Sequence, residues 1–111
     1  MTNYLVLYHS PGTVHDQMAN GTPDQAKAGM DAWMAWAGKA GGAVVDLGFP
    51  LGDSKRIDSG SASDGSATAR GYSILRVDSL DAAAKLLEDH PHVRVPGNSI
   101  DVFETLEMPG M

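Results

Sequence analysis

The chain contains no cysteine, which excludes disulfides, Cys-ligated zinc and thiol nucleophiles together. Basic residues are scarce, with 8 Lys and Arg against 14 Asp and Glu for a formal charge of -6. There is no basic stripe to neutralise phosphates, so nucleic acid is not an expected partner. Long apolar runs are missing as well. The opening MTNYLVLYHS holds only the five apolar residues Tyr4 to Tyr8, without a preceding Lys or Arg. That is far short of a signal peptide or a membrane span, and a soluble, cytoplasmic protein without a membrane partner is expected. GxSxG is absent, and so is HxxxH or any similar His spacing on a helix. The glycine-rich GKAGG ends a helix and precedes a strand, the reverse of the order a phosphate cradle requires.

What is present reads as one domain, residues 1–111, with 108–111 as a tail. Tyr4 to Tyr8 has no polar member, which suits a strand covered on both faces. After the loop HSPGTVHDQMANG, Thr22-Pro23-Asp24-Gln25 has the form of a capping box, with Thr22 at the N-cap, Pro23 at N1 and Gln25 reaching back from N3. The helix it opens carries Ala26, Met30, Trp33, Met34 and Ala37 as its apolar stripe, and Gly41-Gly42 stops it. AVVDLG (43–48) is a short strand. Residues 53–66 are rich in Ser, Gly and Asp and read as a long hairpin connection in which KRI alone suggests a strand. RGYSILRV (70–77) is the next strand. The second helix is capped by Asp78 or Ser79, shows Leu80, Ala83, Ala84 and Leu87 as its stripe, and ends near His90 because Pro91 follows. A Gly97-Asn98 turn leads to SIDVFETL, the last strand.

This β-α-β-β-α-β order is that of a ferredoxin-like α+β sandwich. Two helices cover one face of a four-stranded sheet, yet Tyr4, Val6 and Tyr8 alternate with the equally apolar Leu5 and Leu7. A chain this short buries only about two thirds of its unfolded surface. A second copy packing sheet against sheet is the simplest cover for the other face, so a homodimer is expected.

The segments YLVLYHSPG, AWMAWAGKAGGAVVDLGFPLG, GYSILRVDSLDAAAKLLEDHPHV and SIDVFETLEMPGM together resemble the YCII-related domain, including its DGPF-type members, over almost the whole chain. The resemblance implies a dimeric α/β-barrel type of ferredoxin-like fold. Many members of that family carry a His on the first helix and an Asp before a Pro after the second. Carried onto this chain by counting back from Gly42, the helix position falls on Asp31 and the pre-proline position on His90. The acid and the imidazole have thus exchanged places, and DGSA (64–67) stands where DGPF would.

A His held by a carboxylate serves as a general acid or base, so Asp31 and His90 form the candidate catalytic pair. The structural alternative makes Asp31 an exposed helix residue and His90 a partner for the carbonyls of its helix C-terminus. Four further residues are candidates for substrate binding. His9 lies just past the first strand, His92 follows the helix-stopping proline, Asp46 interrupts an apolar strand, and Trp36 lies off the centre of the stripe that makes Trp33 core. Each also has a structural reading; Asp46 either is a solvated edge residue or sits in a pocket with a partner such as Arg70 or Arg76. His9, His90 and His92 with Asp46 make a conceivable metal site, but no spacing supports it; neither metal nor cofactor is expected. His15 reads as a solvated loop residue. Two functions stand side by side: a small cofactor-free lyase or isomerase acting by proton transfer, and a non-catalytic domain that binds a small molecule or a partner.

Overall fold

The structure, a computed structural model, describes residues 1–13, 16, 21–65 and 67–110. Among these residues it is an α+β fold with a four-stranded antiparallel sheet, two helices and a separate hairpin. The elements are β1 Thr2–His9, α1 Pro23–Ala40, β2 Val44–Asp46, β3 Lys55–Asp58, β4 Ser61–Asp64, β5 Ala69–Val77, α2 Leu80–Leu87 and β6 Ser99–Glu104. The main sheet runs in the order β2-β5-β1-β6. The central strand β1 pairs Leu5 with Ile74 on one side and with Phe103 on the other.

The helix starts follow from their caps. Thr22 Oγ1 accepts the N–H of Gln25 at 3.1 Å and Gln25 Oε1 accepts the N–H of Thr22 at 3.0 Å, a complete capping box. Ser79 rather than Asp78 caps α2, its hydroxyl accepting the Ala82 N–H at 3.0 Å. Helix α2 ends at Leu87, three residues before His90. Pro91 holds His90 extended at φ -62, ψ 138, and the chain re-enters a 3₁₀ turn over Pro91–Arg94.

Tyr4, Val6 and Tyr8 of β1 and Leu75 of β5 form the buried core with Trp36, Ala83 and Leu87 from the two helices. Both helices therefore cover the same face. On the other face Leu5, Leu7, Tyr72 and Ile74 are half-buried and Phe103 is exposed. The roles expected of the tryptophans are exchanged. Trp36 is buried and donates from Nε1 to the Leu86 carbonyl at 3.0 Å, tying α1 to α2, while Trp33 is only half-buried. The stripe read from sequence was out of phase: Met30 and Met34 are exposed, and the packed side runs through Trp33, Trp36, Ala37 and Ala40.

Only the C-terminal half of α1 reaches the core; Pro23 to Asp31 are all exposed. The stretch read as a hairpin connection is a regular two-stranded hairpin, with Ser59 and Gly60 at φ 48 and φ 82 forming its two-residue turn. All eight of its strand residues are exposed. These outlying parts give a radius of gyration of 15.5 Å, where a compact chain of this length has about 13 Å. Among the described residues no helix is long and apolar enough to cross a membrane.

Candidate functional site

A cavity of about 690 Å³ opens between the N-terminal half of α1, the end of β1 and the loop after β2. Trp33, Tyr8, Leu47, Phe49 and Pro50 supply most of its apolar wall, and Gly29 and Ala26 leave room along the helix. Such a volume suits a small organic molecule.

Local hydrogen bonds hold the wall. The Ser73 hydroxyl donates to the Leu47 carbonyl at 2.6 Å. Its single proton is thereby used, so the Tyr8 hydroxyl, 2.8 Å away, is the donor to Ser73 Oγ. The chain Tyr8, Ser73, Leu47 ties the cavity floor to the loop at its rim. Burial holds the Tyr8 phenol above its ordinary pKa, with the bond to Ser73 opposing. One residue further, Asp46 Oδ1 accepts the Gly48 N–H at 2.9 Å and shapes the same loop. Gly48 has φ +79, and a Cβ there would lie 1.7 Å from the Tyr72 carbonyl oxygen, so the turn requires glycine.

Among the residues expected from sequence to form a site, His92 alone lines the cavity. Its Nε2 donates to the His9 carbonyl at 2.8 Å, which places the proton of the neutral ring on Nε2 and leaves Nδ1 as an acceptor. His90 lies behind the wall, fully buried. Its ring stands 4.4 Å from Trp33, 4.4 Å from Trp36 and 5.0 Å from Tyr8. Its Nδ1 accepts the His92 backbone N–H at 3.0 Å, and Nε2 has no hydrogen-bond partner among the described residues. Burial, assisted by the neighbouring His92, lowers its pKa to about 4, so His90 is neutral at physiological pH.

The expected Asp31–His90 pair is not formed. Asp31 is exposed on α1, and among the described residues neither a hydrogen bond nor an ion pair joins it to His90. The reason is helical phase: at 100° per residue Asp31 lies about 160° around the helix from Trp33 and about 140° from Trp36, the two residues that face His90. The neighbouring carboxylate is also engaged elsewhere, since Asp89 pairs with Lys39, which holds its pKa below the usual carboxylate value.

The remaining candidates fall outside the cavity wall. Trp36 is core, and Asp46 is the exposed last residue of β2. His9 Nδ1 lies 3.0 Å from Thr68 Oγ1 and its Nε2 3.0 Å from Asp101 Oδ2. This hydroxyl, imidazole and carboxylate line has the order of a nucleophilic triad, but none of the three is among the described residues that line the cavity beneath α1, and the Asp101 side chain is 62% exposed. It reads as a clasp across the ends of β1, β5 and β6. His15 lies outside the described residues. Among those described, no three His, Cys, Asp or Glu side chains converge to hold a metal ion.

No protein-family model matches the chain, and no curated protein matches it. The site therefore stands on its own chemistry.

Sequence reasoning named Arg70 only as one of two partners for Asp46, not as a cavity residue in its own right. It begins the expected strand RGYSILRV, where a polar first residue is ordinary, and only the fold turns it toward the space under α1. Its Nε donates to the Ser10 carbonyl at 3.1 Å, and the residue lines the cavity. Among the described residues, Arg70 and His92 are the basic side chains that line the cavity.

Proposed function

We propose that this chain is a YCII-related, ferredoxin-like domain that binds a small, largely apolar molecule in the cavity beneath α1. The observation that carries the binding reading is that cavity, about 690 Å³, walled by Trp33, Tyr8, Leu47 and Phe49 and holding few polar groups. The fold assignment rests on order. With the β3–β4 hairpin set aside as an insertion, the elements run β-α-β-β-α-β, and the order β2-β5-β1-β6 puts the first and third main strands side by side at the centre. The four segments that resemble the family support it independently.

The same reading includes a homodimer. Leu5, Leu7, Ile74 and Phe103 form an apolar patch on the face away from the helices, and a second copy of the sheet covers it. The overhanging half of α1 and the free hairpin are natural places for a partner chain to add contacts.

A second reading, proton transfer on the bound molecule, is favoured by His92 rather than by the Asp31 and His90 pair. His92 faces the cavity with its tautomer fixed and Nδ1 available as a base. His90 then serves as a positioning residue through its bond to the His92 backbone.

Titration with indole, followed by Trp fluorescence and calorimetry, tests binding. Saturable binding is expected. It should weaken in Gly29→Phe, because a Cβ on Gly29 meets open space and the ring fills the cavity. Indole binding that is undiminished in Gly29→Phe would place the ligand elsewhere and sink the proposal.

A further inference from the structure

We propose that the cavity selects planar apolar molecules carrying a single carboxylate, and that Arg70 is the residue that pairs with it. This deepens the small-molecule reading above and rests on it.

The charge pattern is the first ground. The chain has 14 acidic residues and a formal charge of -6, yet among the described residues not one Asp or Glu lines the cavity, while Arg70 does. Among the described residues no carboxylate forms an ion pair with Arg70. A half-buried guanidinium beside apolar walls is costly without a counter-charge, and a ligand carboxylate supplies one.

Geometry is the second ground. The bond from Nε to the Ser10 carbonyl, at 3.1 Å, uses one of five N–H donors and fixes the plane of the guanidinium. The terminal nitrogens keep donors in the fork that matches a carboxylate. The other donors nearby carry no charge. The backbone N–H groups of Thr22 and Gln25 are taken by the capping box, Pro23 has no N–H, and the Tyr8 hydroxyl donates to Ser73. The Thr22 hydroxyl and the Gln25 amide still have protons to donate but are neutral, and Arg70 brings the positive charge that a carboxylate pairs with.

The third ground is what surrounds the cation. Trp33 and Tyr8 stand edge to face with centroids 4.8 Å apart, and Phe49 and Leu47 lie across from the helix. Aromatic walls offer a flat apolar body a stacking surface. One arginine, without a lysine or a nest of backbone N–H groups, suits one negative charge better than the several of a phosphate ester.

The test compares phenylacetate and indole-3-acetate with their neutral amides by calorimetry on the full chain. The acids are expected to bind at least about tenfold more tightly than the amides at neutral pH. Raising sodium chloride from about 50 to about 500 mM should weaken the acids and leave the amides unchanged. Arg70→Gln should remove the preference, read as the ratio of acid to amide affinity in the same variant, and Arg70→Lys, which keeps the charge without the fork, should retain part of it. Acid and amide binding equally to the unaltered protein overturns this inference but leaves the binding reading intact. Neither binding overturns both. Because the acid-to-amide contrast and its salt dependence need no variant, poor folding of an Arg70 substitution does not remove the test.

Discussion

The Nδ1 atom of His90 accepts the backbone N–H of His92 at 3.0 Å, so the two imidazoles of the EDHPHV stretch are linked through the main chain and not ring to ring. The first is sealed in the core as a neutral cap of the 3₁₀ turn, and the second is left to face the cavity. Burial of the first has a measurable cost in acid.

His90 has a folded pKa of about 4 against an ordinary 6.5. Between these values the unfolded chain binds the proton and the folded chain does not, so stability is full above about pH 6.5 and falls as pH drops toward 4. The loss amounts to roughly 3 kcal/mol. Urea denaturation across this range checks it. His90→Asn, whose side-chain oxygen can still cap the turn, should be less stable at pH 7 but show a flatter slope; an unchanged slope would assign the acid sensitivity to other groups.

Two glycines should respond oppositely to alanine. Gly48→Ala forces a positive φ and a contact with the Tyr72 carbonyl, costing on the order of 1–3 kcal/mol from the backbone conformation alone. Gly29→Ala, inside α1 with open space at its Cβ, should gain up to about 1 kcal/mol of helix propensity. Thermal unfolding of the pair shows both signs.

Trp36→Phe removes the donor to the Leu86 carbonyl and part of the buried ring, and a loss of about 2 kcal/mol is expected from the combined terms. Trp33→Phe, on the half-buried cavity wall, should cost clearly less while altering indole binding. Denaturation midpoints and ligand titrations on the two variants distinguish core from wall.

The proposed dimer should scatter light as about twice 11.7 kDa at micromolar concentration. Leu5→Glu, placed between Ile74 and Phe103 on the open face, should halve that mass without disturbing the helix-covered core. A monomer in the unaltered protein refutes the sheet-to-sheet contact.

How much of this was legible in the sequence depended on whether the deciding interaction was local. The box at Thr22 and Gln25, the cap at Ser79 and the stop imposed by Pro91 all involve neighbours a few residues apart, and they stand where the sequence puts them. The phase of α1 was not legible, because Met30 and Met34 complete an apolar stripe as well as Trp36 does. Only the sheet and α2, through the Leu86 carbonyl, select Trp36 for the core. That same rotation carries Asp31 away from His90. SASD has no strand propensity, and the pairing of β4 with Lys55–Asp58 was missed for that reason. Arg70 was legible only as a partner for Asp46; its place in the cavity was not, because nothing next to it in the chain shows that α1 will overhang it.

The hairpin of β3 and β4 hydrogen-bonds as a sheet of its own, apart from the main sheet. Its turn at Ser59 and Gly60 is therefore a place where the chain can be opened with little penalty to the core. A fluorescent or affinity label inserted there would report on this protein while leaving the Tyr8, Ser73 and Leu47 relay intact, and new termini created at that turn should yield a circular permutant that still folds.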